Sequence, residues 1–405
     1  MTDRSTGDVS TDEARLGDLS ASDIPVSGHA AKVKPLDEVL APGGGEAAPA
    51  KTPRPTSYIP SLDGFRAVAV AVVFAAHAHI IDIFPGGYGV TVFFFLSGFL
   101  ITTLLRRELD KTNRIDLKHF YIRRTLRISP PLIITLLVAV LLCKAGLTPG
   151  EVNFKVLLAQ MFFLGNFAKL FEWPYVDGTG VVWSLAVEEH FYLVYPLVFI
   201  LATRFLSLKT LSHVLKVVCL AVLAWRYVLL EQFDVIEQRI TYMTDTRIDS
   251  IAFGCILALE FNPVVDRDSE KRVFESWPVL WVALIVTLLS ILARDEYFQN
   301  SIRYTIQGIA LMPIFTMAIL HPGSPLFRLL NTGPMKLIGL LSYTIYLSHF
   351  VAIKAMEWAF PSLHEGSRLE QTGLLLIAVA VSLAYSYAMY RIVEKPLASL
   401  RKKFR

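Results

Sequence analysis

Long apolar stretches separated by short polar interruptions recur from Phe65 to Val393, and no other property of the chain restricts its fold so severely. A helix crosses roughly 30 Å of hydrocarbon with about 20 apolar residues, so such stretches read as transmembrane helices. About eleven candidates follow one another. They are Phe65 to Phe84, Val90 to Leu105, Ile128 to Leu142, Val156 to Phe171, Val181 to Phe205, Leu211 to Leu230, Ile248 to Phe261, Leu280 to Ala293, Tyr304 to Leu320, Leu337 to Phe360 and Gly373 to Val393. The expected fold is all-α, a polytopic transmembrane helical bundle. With 54% hydrophobic and 18% charged residues over 405 positions, the chain is too apolar for a soluble protein, and little of it is left for a large soluble domain.

The net charge of +4 carries no message about nucleic acid, because Lys and Arg form bands between apolar segments and no basic face. The bands read as topology signals. Cys143, Cys219 and Cys255 all lie inside apolar segments, with no Cys-x-x-Cys and no His or Cys at metal spacing, so neither a disulfide framework nor a metal site nor a tightly bound cofactor is expected. Residues 1–57 are rich in Ala, Gly, Pro, Ser and Asp and lack both a signal-peptide core and a helical stripe. They are expected to form a disordered cytoplasmic tail, followed by a membrane domain over 58–397 and a basic cytoplasmic tail over 398–405.

Cytoplasmic loops carry the excess of Lys and Arg. After the second segment come Arg106, Arg107, Lys111, Arg114, Lys118, Arg123, Arg124 and Arg127 against only Glu108, Asp110 and Asp116, which places this loop inside. The first segment then starts inside, in keeping with Lys51 and Arg54, and Lys395, Arg401, Lys402, Lys403 and Arg405 put the other end inside too. Two cytoplasmic termini require an even number of crossings. Val156 to Phe171, short and carrying Gln160, Gly165 and Asn166, is the segment least suited to span and is expected to be re-entrant or half-buried. About ten crossings remain. Arg204, Lys209 and Lys216, then Arg267, Lys271 and Arg272, then Arg328 and Lys336 all fall inside, and the acidic loop from Glu231 to Asp245 falls outside.

A charged side chain in the bilayer is costly enough to demand a partner or a wet cavity. Arg66 stands near the inner end of the first helix and His77 is eleven residues on, roughly 16 Å deeper at about 1.5 Å per residue. Glu188 and Glu189 descend from the opposite face, and His349 climbs from Lys336 past Tyr343 and Tyr346 to a comparable depth. A histidine beside a carboxylate is the simplest general base for a hydroxyl nucleophile, so His77 with Glu188 or Glu189 is the expected catalytic pair. Adjacent helical residues point about 100° apart, so only one of the two carboxylates faces the centre fully. Ser97 adds a hydroxyl, and Ser97 or Tyr343 is the expected oxyanion donor. His349, Arg247 and Asp249 are further candidate contacts to an acceptor. The bland alternatives are a histidine hydrogen-bonded to a facing helix and an Arg247–Asp249 ion pair. In FYIRRTLRISPPL, Arg124 and Arg127 share a helical face. Guanidinium forks suit phosphate oxygens, whereas the plainer reading is an anchor on anionic lipid.

Together, SLDGFRAVAV with Arg66 and His77, GGYGVTVFFFLSGFLIT, FYIRRTLRISPPL, WSLAVEEHFYLVYP, TDTRIDSIAFG, LSYTIYLSHF and VEKPL resemble the acyltransferase-3 family of bacterial membrane O-acyltransferases, over roughly Tyr58 to Leu397. The family decorates O-antigens, exopolysaccharides, peptidoglycan, nodulation factors and some macrolides. The resemblance implies a multi-pass protein of the bacterial inner membrane that moves an acyl group, acetyl first among candidates, from cytoplasmic acyl-CoA to a hydroxyl of an extracytoplasmic glycan. It implies His77 as catalytic base, Arg66 supporting the donor site, and Arg123, Arg124 and Arg127 as donor-phosphate contacts. His190 departs from the family, which more often has Gln after the Glu pair. Some relatives also carry an esterase-like domain after the last helix, so this chain would finish the transfer alone or hand over to a partner. The competing reading is an exporter of a glycan or lipid-linked intermediate, which intramembrane charge alone would permit. A soluble-style serine mechanism is not expected, since no GxS nucleophile elbow is found.

Overall fold

The computed structural model describes residues 59–78, 86–233, 237–266 and 274–404. The expected tail over 1–57 and the topology residues Arg267, Lys271 and Arg272 lie outside the described residues. The described residues are helical almost throughout, with one isolated bridge between Gly150 and Val176.

Sixteen α-helices are described: α1 Pro60–His77, α2 Gly86–Thr112, α3 Leu117–Lys144, α4 Phe154–Met161, α5 Gly165–Leu170, α6 Trp183–Phe205, α7 Leu208–Gln232, α8 Glu237–Tyr242, α9 Thr244–Glu260, α10 Trp277–Leu292, α11 Glu296–Asn300, α12 Arg303–Leu320, α13 Gly333–Ala359, α14 Pro361–His364, α15 Arg368–Met389 and α16 Lys395–Arg401. Seven stretches are long and apolar enough to cross a membrane: α2, α3, Thr179–Phe205 containing α6, α7, α12, α13, and Arg368–Phe404 containing α15 and α16. The other apolar segments counted as crossings are helices too. α1 carries Asp63 and Arg66 near its start, and α9 and α10 have 17 and 16 residues.

Local chemistry sets several helix starts. Asp116 caps α3 by accepting from the His119 backbone N–H at 2.9 Å, and Ser207 caps α7 through the Thr210 N–H at 3.1 Å. Ser367 and Glu370 form a reciprocal capping box on α15. The segment Val156 to Phe171 divides into α4 and α5, of 8 and 6 residues, and turns between them at Phe163, where φ is 60°. Neither piece is long enough to span.

The core forms around α2, whose Phe94, Phe95 and Phe99 are fully buried. α2 packs most extensively on α9, and α1 packs on α2 and α13. The α2–α9 crossing depends on two glycines: a Cβ on Gly98 would sit 2.0 Å from the Ile251 carbonyl oxygen, and one on Gly254 would sit 2.0 Å from that of Phe95. Small residues at such crossings let backbones touch where no hydrophobic force drives helices together. Gly178, at φ 85°, turns the chain into the 3₁₀ turn Thr179–Val182 that leads α6, with its Cα against the Val351 backbone. The residues after 397, expected as a tail, continue as helix to Phe404, and Ala398 is buried.

Candidate active site

The last turn of α1 and the middle of α13 bring two imidazoles together. His349 is fully buried, His77 is half-buried, and their ring centroids are 5.0 Å apart at 65°. His349 Nδ1 lies 2.7 Å from the Tyr346 carbonyl oxygen and His77 Nδ1 lies 2.9 Å from that of Val73. A carbonyl oxygen only accepts, so each Nδ1 is assigned the proton in the neutral state. His349 Nε2 is then a lone-pair acceptor, and it lies 3.3 Å from His77 Nδ1. The His77 N–H is shared between a carbonyl and a neighbouring imidazole, and His77 Nε2 carries the lone pair. That is the tautomer a general base requires.

The expected carboxylate is not the partner. Ser184 on α6 and Tyr346 on α13 join hydroxyls at 2.6 Å, while Gly178 meets Val351, so the two helices run antiparallel. His349 stands three residues to one side of that contact and Glu188 four residues to the other, which separates them by roughly 10 Å along the bundle. Depth counted from the start of the apolar segment misplaced Glu188, because the 3₁₀ turn before α6 is already buried. The Glu188 carboxylate accepts from Ser97 at 3.1 Å and from Tyr192 at 3.2 Å. Glu189 faces Arg124, whose Nε is 3.9 Å from its Oε1 and whose guanidinium stacks 3.4 Å above the Tyr192 ring. Ser97 and Tyr343, expected as oxyanion donors, both have their protons engaged: Ser97 on Glu188, and Tyr343 on the Ile128 carbonyl at 2.7 Å. His190, the departure from the family pattern, links α6 to α9 through Thr244 at 2.8 Å.

At the opposite end of α1 the basic residues converge. Arg66 is buried and bound to Asp63 at 2.8 Å. Arg127 lies within electrostatic reach of Arg66, Arg124 and Arg401. Arg123 turns away, donating to the Phe404 carbonyl at 2.7 Å with Glu108 3.7 Å off. Arg401 was read from sequence only as part of a basic tail. It enters the group because the chain takes a π-helical turn over Tyr390–Glu394 before α16, and Glu394 there accepts from Thr344 on α13. The Nε atoms of Arg124 and Arg401 are buried without a hydrogen-bond partner.

Arg247 and Asp249 do not pair, since residues two apart on a helix point to nearly opposite sides. Asp249 instead holds Arg226 of α7 at 2.8 Å, both fully buried, with Thr305 and the Thr246 carbonyl completing the cluster. Sequence reasoning missed Arg226, though an arginine within KVVCLAVLAWRYVLL was signal enough. Arg247 donates to Thr91 at 3.2 Å and lies over the Tyr304 ring at 3.8 Å.

Fold and site together define a multi-pass helical membrane protein with two imidazoles paired inside its bundle, His349 buried and His77 half-buried, and a basic cluster toward the other end of the His77 helix. The family model described as an acyltransferase domain matches residues 59–391, and the chain belongs to that acyltransferase-3 family. It is 29% identical over 360 residues to the O-acetyltransferase OatA of Staphylococcus aureus, covering 85% of this chain and 58% of the relative. It is 28% identical over 365 residues to the peptidoglycan O-acetyltransferase OatA of Listeria monocytogenes, covering 84% and 56%. The chain thus spans less than two thirds of the length of these relatives. No solved structure matches it.

Proposed function

We propose that the protein is an O-acetyltransferase that takes its acyl group from acyl-CoA on the cytoplasmic side and delivers it to a hydroxyl of a glycan on the other side, with peptidoglycan, the acceptor named for one relative, as the first choice. With α1, α9 and α10 added to the seven long helices, the bundle crosses about ten times and both termini are cytoplasmic. The observation that carries the reading is the His77–His349 pair, a base held in one tautomer and separated by about three turns of α1 from Arg66 in the arginine cluster.

The chemistry balances without a cofactor. The CoA phosphates rest against Arg66, Arg124, Arg127 and Arg401, and the pantetheine arm runs up the bundle toward the imidazoles. His77 Nε2 takes the proton of the acceptor hydroxyl as its oxygen attacks the thioester carbonyl. The C–O bond forms, the C–S bond breaks, and the departing CoA thiolate recovers the proton from the imidazolium. The Val73 carbonyl and the His349 lone pair steady that cation through its Nδ1–H. The test is transfer of label from [¹⁴C]acetyl-CoA to peptidoglycan fragments by the full chain in nanodiscs. Label on glycan that disappears in His77→Ala supports the reading; glycan transport without acyl transfer would make the protein an exporter.

A further inference from the structure

Arg247 is the most anomalous side chain in the bundle. It is fully buried, yet its Nε and Nη1 find no acceptor among the described residues, and the Nε of Arg226 beside it finds none either. Three guanidiniums surround the Tyr304 ring, with centroid distances of 3.8 Å for Arg247, 5.2 Å for Arg303 and 5.4 Å for Arg226. Among the described residues the carboxylate paired with them is Asp249, on Arg226. Buried charge is tolerated when it is paired, so this excess calls for an anion.

The surroundings indicate what brings it. The Arg247 guanidinium is 5.9 Å from the Trp183 ring, Trp183 is 5.0 Å from Tyr242, and Tyr242 is 5.6 Å from the Lys169 ammonium. Along this row burial falls from complete at Arg247, through 7% exposure at Trp183, to half-buried Tyr242 and Lys169. Burial disfavours the Lys169 charge, but the Tyr175 hydroxyl bonded at 2.8 Å, together with Tyr242 and Asp177 nearby, holds the ammonium above the usual lysine range. Aromatic faces take the C–H faces of sugars, and cations spaced between them take carboxylates. The row starts near the His77 end of the bundle, where Thr91 and Phe93 of α2 stand beside Arg247 and Tyr346.

We propose that the row from Lys169 to Arg247 is an acceptor tract that recognises a carboxylate-bearing glycan, with Arg247 as the carboxylate fork at its inner end. The proposal rests on the acyltransfer reading above and adds the acceptor's charge. Equilibrium binding by the full chain in nanodiscs tests it apart from turnover, with tri-galacturonic acid and the neutral galactose trisaccharide as probes. Wild type is expected to bind the acid at least tenfold more tightly. Arg247→Gln should reduce that preference below threefold, and Lys169→Gln should reduce it about threefold. Equal binding of acid and neutral sugar by wild type, or an undiminished preference in Arg247→Gln, overturns the proposal even where labelled acetyl still reaches a glycan. Tighter binding of decyl phosphate than of either sugar, lost in Arg247→Gln, would assign the site to a phosphate lipid and overturn it as well. Where Arg247→Gln fails to fold, Arg247→Lys and Lys169→Gln decide: lowered acid preference in both supports the tract, and no change in either overturns it.

Discussion

A single proton assignment determines what His77 can do. Because the Val73 and Tyr346 carbonyls accept only, both imidazoles carry hydrogen on Nδ1, and the lone pair of His77 is on Nε2, the atom that takes the acceptor proton in the proposed mechanism. His77→Ala should therefore lower kcat by about 10² to 10⁴ while membrane abundance stays constant, and His77→Gln should rescue little, since an amide is no base. Near-normal turnover of the alanine variant would refute the mechanism. His349→Phe tests the support: it keeps an aromatic ring but removes the acceptor for the His77 Nδ1–H, so turnover should drop about tenfold with an unchanged KM for the donor. His77 was legible because a histidine deep in an apolar helix demands an explanation. Its partner was not, because pairing depends on the register of α6 against α13, and the 3₁₀ turn that leads α6 is already buried. The Arg247–Asp249 alternative failed on elementary helix geometry, and the partner Asp249 does use sits on another helix.

Between elements, the α2–α9 crossing sets the position of everything on α2, including Ser97 and Thr91. Gly98→Ala would drive a methyl to 2.0 Å from the Ile251 carbonyl oxygen, a backbone atom with no freedom to move aside. Loss of monodisperse protein on gel filtration, or a Tm lowered by several degrees, is the expected result. Unchanged Tm would mean the helices part more easily than their packing suggests. On α3, Arg124→Ala and Arg127→Ala should each raise the KM for acetyl-CoA about tenfold with less effect on the acceptor, through loss of charge-assisted bonds to phosphate. If both constants stay put, the cluster anchors lipid only. Helix existence was readable from apolar runs, and the weakness of Val156 to Phe171 was readable from its Gln, Gly and Asn. The contribution of Arg401 was hidden, because a π-helical turn at Glu394 carries no sequence signature as plain as an apolar run.

For the whole molecule, the proposed chemistry makes sense in one orientation only: arginines facing the CoA pool, imidazoles facing the glycan. Loop charge gives the same answer independently, since the connection of α2 to α3 with its flanking helix turns, Arg106 to Arg127, is basic and the region joining α7 to α9 is acidic around Glu231, Glu237 and Asp245. Both sites can be interrogated directly because Lys111 and Glu237 are exposed. The native thiols interfere little: Cys219 and Cys255 are buried, and half-buried Cys143 can be replaced by serine. In that background, Glu237→Cys should react with a membrane-impermeant maleimide in intact spheroplasts, and Lys111→Cys should react only after the membrane is opened. The reverse pattern would put the arginine cluster outside, away from any acyl-CoA, and would refute the direction of transfer. Labelling of both sites in intact cells would break the topology of about ten crossings, because α3, α6 and α7, which lie between them, could then not make an odd number of crossings.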